Sequence, residues 1–343
     1  MAHETLPSSA QSAYADLLDS LTGTPPPSRG ITVFTRTLKQ KRYWYLQSVI
    51  GEKKQSFYLG PDDHATRQWI ESAKTRQQND VEEHPTRERL VATGVAAGLW
   101  APNAGETRVY EALAQSGLFA IGGVLVGTHA FLNIGNLLCV HWKGSMSRTE
   151  DIDVAHDPAF QVAAPNTGAD LLEVLKAREP DFIPVPTLDP RQPSTSFRIR
   201  RKQLSVSLLT PERGRPGKGP VIIDALKMAA EPVRYLDYLI EGSHIAAVPT
   251  GAGILIRVPD PTRFALHKLV VSHRRPAAMT AKARKDIDQA RNLLEVVKEV
   301  RPGDLQPALR AAKDKGGKFA DTIRKQLTLL PEAISDWVSS EMS

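Results

Sequence analysis

The sequence predicts an α/β (α+β) protein: a mixed sheet with flanking helices, a small N-terminal β-meander and a C-terminal helical domain. Three observations support this prediction. Residues 31–59 are rich in β-branched and aromatic residues, strand-like and helix-like patterns alternate through the centre, and apolar residues recur at helical spacing after residue 260. We expect three domains, because 343 residues suit two or three domains of about 100–200 residues each. Their predicted limits are 1–85, 86–258 and 259–343.

The N-terminal region is predicted to form a short helix followed by three strands. Residues 9–22 have helical spacing, and the proline-rich run TPPPSRG at 24–30 ends that helix. Residues 64–79 return to a helical pattern. Between these segments lie three strand-like runs joined by short turns, at 31–38, 41–50 and 54–59.

The predicted meander mixes basic with aromatic residues. These residues are Arg29, Arg36, Lys39, Lys41, Arg42, Lys53 and Lys54, interleaved with Tyr43, Trp44, Tyr45, Phe57 and Tyr58. Such a surface can bind nucleic acid, because cations contact phosphates and rings stack on bases. Alternatively, the aromatic residues form one buried face of the meander while the lysines face solvent. The sequence leaves both interpretations open.

The central region begins with helical patterns at 87–98 and 105–116. LFAIGGVLVG at 118–127 is typical of a strand that runs into a glycine turn, and 128–138 continue as a buried helix. Residues 112–142 contain no Asp, Glu, Lys or Arg, yet five glycines interrupt them. We therefore expect a buried strand and helix here, not a membrane span. The N-terminus lacks the pattern of a signal peptide, so we expect a cytoplasmic protein without a membrane partner.

The later segments alternate in the same way. Residues 168–178 predict a helix and 182–187 an extended segment, whereas 196–211 and 244–258 each resemble a β-hairpin. After Asp260-Pro261, the pattern is helical. The predicted helices there are PTRFALHKLVVSHRR, residues 282–300 and shorter helices over 304–329.

The formal net charge of +6 is distributed unevenly along the chain. Residues 86–195 carry a net charge of −4, whereas 196–258 and 259–343 each carry +5. An enzyme that binds metal with one part and phosphate with another has such a distribution, and ordinary surface variation also produces it. The single cysteine, Cys139, excludes an internal disulfide and a cysteine-rich zinc site.

The most informative motif is Thr149-Glu150-Asp151-Ile152-Asp153-Val154. In a strand, alternate side chains share a face, so Asp151 and Asp153 project together and repel each other. A divalent cation relieves that repulsion, and Mg²⁺ is typically bound by one or two carboxylates together with phosphate oxygens and water. A bare Asp-x-Asp also occurs on ordinary exposed strands. Here, however, a Gly127-Thr128 turn precedes it and opens a helix, whose backbone N–H groups can receive a phosphate.

The arrangement LVGTHAF followed by RTEDIDVA resembles the signature of the DNA polymerase beta-like nucleotidyltransferase superfamily. That signature is an apolar residue, a glycine and a small residue, followed downstream by an acidic pair on a strand. Within that superfamily, the sequence resembles the branch of bacterial nucleotidyltransferase-fold proteins of uncharacterised or toxin–antitoxin-related type. The later run PTRFALHKLVVSHRR, followed by KARKDIDQARNLL, resembles the helical segment after the catalytic sheet in that branch. The resemblance covers roughly residues 105–300.

This resemblance implies a nucleotidyltransferase-type mixed sheet and a mechanism. Asp151 and Asp153 are expected to bind Mg²⁺ (or Mn²⁺) that bridges the triphosphate of an NTP, and Gly127 and Thr128 to cradle phosphates. An acceptor hydroxyl then attacks the α-phosphorus and expels pyrophosphate. Lys268 is expected to reach a phosphate. Arg148, just before the acidic strand, is a further phosphate-binding candidate.

One position departs from the superfamily pattern. The superfamily usually supplies a third carboxylate from a later strand, and the matching strand here places Ser207 at that position. Serine binds Mg²⁺ weakly and is a poor base. Three alternatives stay open: another acid reaches the site, the acceptor site works without one, or transfer is slow or absent. The acids available in the sequence are Asp181, Asp189 and Asp224.

Two functional hypotheses follow from these residues. The first is a Mg²⁺-dependent nucleotidyltransferase whose acceptor is an RNA such as tRNA, a protein or a small molecule. Three basic windows favour RNA, at 29–54, 198–218 and 263–285. The second is a catalytically impaired protein on the same scaffold that regulates by binding nucleotide or nucleic acid. The sequence does not define the oligomeric state.

Overall fold

A computed structural model describes most of the chain. The described residues are 3–23, 31–38, 40–50, 53–143, 150–158, 170–187, 192–214, 219–224 and 227–342. Within them the fold is mixed α/β, as predicted. Helices flank a seven-stranded sheet, a three-stranded sheet precedes it, and helices follow it.

The strands lie in the first three quarters of the chain, with helices between groups of them. They are β1 (His3–Thr5), β2 (Ile31–Leu38), β3 (Lys41–Ile50), β4 (Lys53–Pro61), β5 (Val124–Val126), β6 (Val140–Trp142), β7 (Asp151–Ala155), β8 (Phe182–Pro184), β9 (Ser196–Ile199), β10 (Ser205–Pro211), β11 (Val221–Ile223), β12 (Met228–Val233), β13 (His244–Val248) and β14 (Ile254–Val258). The helices are α1 (Ser8–Gly23), α2 (His64–Ala96), α3 (Ala104–Gln115), α4 (Gly127–Leu137), α5 (Leu171–Arg178), α6 (Leu236–Ile240), α7 (Pro261–Arg274), α8 (Thr280–Val300), α9 (Leu305–Asp314), α10 (Gly317–Gln326) and α11 (Glu332–Met342).

The central sheet has the strand order β11-β12-β10-β7-β5, and β9 and β8 extend it beside the first half of β10. β7 and β10 run parallel, whereas β5 is antiparallel to β7. Alternation along β7 and β10 buries Ile152, Val154, Val206 and Leu208 completely. The intervening polar residues therefore share the opposite face of the sheet.

One apolar core joins this sheet to the C-terminal helices. Its buried side chains run from Val109 in α3 to Met342 in α11, and they include Phe264 of α7 and Leu293 of α8. A second, smaller cluster packs α1 against the end of α2 and against Ala247 of β13. The domain limits at residues 85 and 258 stay predictions.

Most predicted elements are confirmed, but three predictions are wrong in extent. The helices predicted at 64–79 and 87–98 form one helix, α2, which contains Pro85. The strand predicted over 118–127 is limited to β5, because 118–122 form turns. No sequence pattern predicted β1, β6, β11, β12, α6 or α11. The predicted linker at 24–30 and part of the loop at 213–219 lie outside the described residues.

Helix α2 continues through Pro85 because Arg87 compensates for the interruption. Pro85 has no backbone N–H, and proline inside a helix costs about 3 kcal/mol. The Arg87 guanidinium is buried and donates to the backbone oxygen of Asp80 at 3.0 Å, and it also pairs with the Asp80 carboxylate. It further donates to Glu83 and to Ser20 of α1, each at 3.3 Å. These contacts tie both sides of the proline together and attach α2 to α1.

Candidate active site

The register of β7 and β10 brings four polar residues together. Asp151 pairs with Ser205, and Asp153 pairs with Ser207, in a parallel arrangement that puts all four side chains on one face. Asp151 is exposed, and the other three are partly exposed. The Ser205 hydroxyl donates to Asp151 Oδ1 at 2.6 Å. The site therefore carries two carboxylates with two hydroxyl groups beside them.

The start of α4 lies directly against Asp153. β5 is antiparallel to β7 and pairs Val126 with Asp153, so the following residue, Gly127, reaches the carboxylate. Gly127 has φ of +67°, and a Cβ there would lie 2.8 Å from Asp153 Oδ2. Only glycine combines that backbone conformation with so close an approach. The N-cap residue, Val126, makes no side-chain cap hydrogen bond, so within the described residues the first N–H groups of α4 have no such acceptor.

The surroundings of the Asp153 carboxyl group disfavour its ionised form. Burial, and then the neighbouring Asp151 charge, raises its pKa to about 6, although Lys268, Lys282 and Arg275 act in the opposite direction. A carboxylate that resists ionisation is common where a cation or a catalytic role supplies the compensation. A cation bound between Asp151 and Asp153 would therefore stabilise their ionised forms.

Helices α7 and α8 supply basic residues to this side of the sheet. Lys268 Nζ donates to Asp286 Oδ1 at 2.7 Å, and Arg275 Nε donates to Asp286 Oδ2 at 2.6 Å. The Asp286 side chain is only 3% exposed, whereas those of Lys268 and Arg275 are 12% and 26% exposed. The pairing fixes Lys268 of α7 and Arg275, the residue that follows α7, at positions where both lower the pKa of Asp153.

Two further lysines extend the basic face. Lys282 is exposed, and its charge lowers the pKa of Asp153. Burial, and then the charge of Lys268, lowers the pKa of Lys285, while Asp286 and Asp151 oppose that change. We call Lys268, Arg275, Lys282 and Lys285 the basic face. Opposite charges thus meet between the sheet and helices α7 and α8.

The residues singled out in the sequence are placed as follows. Gly127 and Thr128 lie at the start of α4, and Thr128 is buried. Lys268 lies near the carboxylate pair, but its ammonium group is held by Asp286, not free. Ser207 lies beside Asp153. Arg148 is outside the described residues.

No third carboxylate completes the pair in the described part of the chain. Across those residues, no group of three or more His, Cys, Asp or Glu side chains is arranged to hold a metal ion. Asp181 and Asp224 are exposed and belong to no such group. Asp189 lies outside the described residues.

Two residues of this region were not predicted as members of the site from the sequence. Asp286 is 135 positions after Asp151 in the chain, and only tertiary packing brings it near the pair. Ser205 carried a detectable signal, because it precedes Ser207 by two in the same strand and must share its face.

The N-terminal sheet carries an aromatic cluster on β2 and β3. The rings of Phe34 and Tyr45 stack with their centroids 5.8 Å apart, and the Arg36 guanidinium lies 5.2 Å from each centroid. The Trp44 indole donates to Asp62 at 2.7 Å. The side chains of Lys53, Lys54, Phe57 and Tyr58 are outside the described part, as are Arg29 and Lys39. Both interpretations of the meander stay predictions.

A carboxylate pair beside an uncapped helix start, facing a set of cations, is typical of proteins that handle nucleotide phosphates. A family comparison agrees with this class. The family model described as nucleotidyltransferase matches residues 105–314, which is more than half of the chain, and the chain belongs to this family. The matched range contains the carboxylate pair, Ser207 and the basic face.

Two other comparisons gave no match: neither a curated protein nor a solved structure is significantly similar to the chain. None of the helices in the described part of the chain combines the length and apolarity that crossing a membrane requires.

Proposed function

We propose that the chain is a Mg²⁺-dependent nucleotidyltransferase that transfers a nucleoside monophosphate from an NTP to an acceptor hydroxyl. The single observation that carries this proposal is the register of β5, β7 and β10. It puts Asp151 and Asp153 next to the start of α4 and opposite the basic face. Membership of the nucleotidyltransferase family supports the same reaction class.

The donor set fits one Mg²⁺ or Mn²⁺ ion. Asp151 and Asp153 share a face, and burial and mutual repulsion disfavour ionisation of Asp153 without a cation. Mg²⁺ is commonly held by one or two carboxylates, with substrate phosphates and water as the other ligands. When bound, the ion neutralises phosphate charge and orients the triphosphate. A second ion lacks its carboxylate, because Ser207 occupies that position.

The chain's own residues position the phosphates. The helix α4 begins at Gly127 and Thr128, directly against Asp153, and its first N–H groups can donate to a phosphate oxygen. Lys282 and Lys285 can neutralise the charge that develops on the leaving pyrophosphate. Asp286 holds Lys268 and Arg275 in place, and we assign it as a positioning residue.

In the proposed reaction, the acceptor oxygen forms a bond to the α-phosphorus. The bond between the α-phosphorus and the oxygen that links it to the β-phosphorus breaks, and pyrophosphate leaves. The proton of the acceptor hydroxyl passes to water, since serine at position 207 is a poor base. We therefore expect slow transfer relative to an enzyme with a third carboxylate.

An RNA acceptor is favoured by the basic turn between β9 and β10. Arg198 pairs with Ser205, which in turn pairs with Asp151, so Arg198 lies two strands from the carboxylate pair. Two strand spacings correspond to about 10 Å. Arg200 and Arg201 in the turn are also exposed, at the same end of the sheet. These cations can contact the phosphates of an RNA whose terminal hydroxyl reaches the site.

A second candidate function is regulation by a catalytically impaired nucleotidyltransferase. The observation that favours it is Ser207 beside Asp153, at the position where the resemblance calls for an acid. Such a protein binds NTP and RNA but transfers little or nothing. A toxin–antitoxin role is likewise a prediction.

The test is transfer of label from each α-³²P NTP to total tRNA, to protein and to small hydroxyl compounds, with Mg²⁺ or Mn²⁺. We expect wild-type label on RNA and none with Asp151→Asn/Asp153→Asn. Asp321→Asn removes one exposed carboxylate in α10 and serves as the matched control. Label that is equal in all three proteins contradicts the proposal.

The variant Ser207→Asp separates the two candidate functions. Transfer by the wild type favours the enzyme, and a further rate increase in Ser207→Asp is expected. Transfer only by Ser207→Asp, with NTP binding intact in both proteins, favours the impaired regulator.

A further inference from the structure

A pocket of about 220 Å³ lies on a second face of α7, beside the end of β12. Apolar side chains form part of its wall, chiefly Val233, Val270 and Val271. His267 and Arg274 lie about two turns apart on one face of α7, and this face is rotated by about 100° around the helix axis from Lys268. The pocket therefore lies on a face of α7 next to the one that carries Lys268, and Arg275 belongs both to its lining and to the basic face.

Two arginines at this pocket have no carboxylate partner. Arg234 and Arg274 are exposed, and no ion pair or hydrogen bond involves either guanidinium in the described residues. Both guanidiniums lie over the Tyr235 ring, at 4.9 and 5.4 Å from its centroid. The Tyr235 ring is itself held edge-on against Phe319 at 4.7 Å. Both guanidiniums thus contact one aromatic ring at the border of the pocket.

The third polar group of the pocket is a buried imidazole. His267 is 6% exposed, and its Nε2 has no hydrogen-bond partner in the described part of the chain. Burial, and then the charge of Lys268, lowers its pKa to about 3, so the ring is neutral. An unpaired buried polar atom is costly, and a ligand oxygen in the pocket would satisfy it.

We propose that this pocket binds the phosphate group of a small phosphorylated molecule, between Arg234 and Arg274 and next to His267. Guanidinium groups match phosphate geometry and are the usual choice for such sites. The apolar wall can accept the carbon body of the ligand. This site is distinct from the carboxylate pair, and its existence does not depend on the proposed transfer reaction.

The test is calorimetric titration of the full chain with inorganic phosphate, without metal and at constant ionic strength. We expect saturable binding that weakens about tenfold or more in Arg234→Gln and in Arg274→Gln, since each loses a charged hydrogen-bond donor. Arg310→Gln removes an exposed guanidinium of α9 outside the pocket and is the matched control. We expect no change there.

Absence of binding by the wild type, or equal weakening in the Arg310→Gln control, overturns the proposal. Asp151→Asn/Asp153→Asn should keep the phosphate affinity, which separates a failure here from a failure of the proposed reaction. A second titration, with ATP present, identifies the source of the phosphate. Competition by ATP assigns the pocket to a phosphate of a nucleotide, and simultaneous binding assigns it to a separate phosphorylated molecule.

Discussion

At the scale of single residues, the ionised Asp153 lowers the free energy of unfolding. Burial and Asp151 raise its pKa from 3.8 to about 6, so the folded carboxyl holds its proton more tightly than the unfolded one. The ionised group therefore lowers stability as the pH rises above 3.8, and this loss is complete above about pH 6. The ionised Asp153 thus does not stabilise the fold, which agrees with its proposed role in binding a cation.

We predict that Asp153→Asn stabilises the metal-free protein at pH 7.5 by about 1 to 3 kcal/mol. The gain should shrink as the pH falls from 6 towards 3.8, because the wild-type carboxyl becomes protonated there. Urea unfolding in EDTA at pH 7.5 and pH 5 measures both effects. Asp321→Asn, an exposed control, should change stability by less than about 0.5 kcal/mol. A loss of stability in Asp153→Asn at pH 7.5 would contradict this account.

Gly127 is the second residue that the site requires. Its φ of +67° disfavours any side chain, and a Cβ would lie 2.8 Å from Asp153 Oδ2. Gly251, in the turn between β13 and β14, also has positive φ, at +55°, but a Cβ there meets nothing within 4 Å. The two glycines therefore differ in whether an added methyl group touches the candidate site.

We predict that Gly127→Ala and Gly251→Ala each lose about 1 kcal/mol of stability to backbone strain. Only Gly127→Ala should also displace Asp153 and weaken Mg²⁺–NTP binding, by about tenfold or more. Thermal unfolding and calorimetric titration of both variants measure these effects. Equal nucleotide affinity in the two variants is the outcome that argues against the site.

At the scale of secondary-structure elements, the 33-residue helix α2 depends on one buried arginine. Arg87 bridges Asp80 and Glu83 across Pro85 and reaches Ser20 of α1. Breaking a buried ion pair by removing one partner costs about 3–5 kcal/mol. The neighbouring Arg89 is exposed, and in the described part of the chain its one hydrogen bond goes to Thr86, one turn away.

We predict that Arg87→Ala lowers the free energy of unfolding by about 3 kcal/mol. Arg89→Ala, the matched control, should change it by less than about 0.5 kcal/mol. Chemical denaturation followed by far-UV circular dichroism distinguishes the two. If the variants lose equal stability, Arg87 does not hold α2 together.

The elements also show which predictions depend on local pattern. The three meander strands and both hairpins follow from β-branched alternation and turns, and α7 follows from Asp260 at its N-cap and Pro261. The single helix α2 was not predictable, because the sequence shows Pro85 but not the tertiary contacts of Arg87. β1 and β6 were missed because each has only three residues and its pairing partner is distant in the chain.

At the scale of the whole molecule, the sequence predicted which residues share a face but not what lies opposite them. Alternation was enough to put Asp151 with Asp153, whereas the position of Ser207 beside them was implied by the superfamily resemblance. The basic face could be counted in the sequence, but its pairing with Asp286 depends on how α7 packs on α8. The phosphate pocket likewise depends on the contact of Tyr235 with α7 and α10.

The central claim is that Asp151 and Asp153, between the start of α4 and the basic face, form a metal-dependent nucleotide site. Calorimetric titration of the full chain with each NTP, with and without Mg²⁺, tests it most directly. We predict NTP binding by the wild type that strengthens about tenfold or more with Mg²⁺, and loss of this dependence in Asp151→Asn/Asp153→Asn. An NTP affinity that is independent of Mg²⁺ in both the wild type and the variant would contradict the claim. So would the absence of any NTP binding by the wild type.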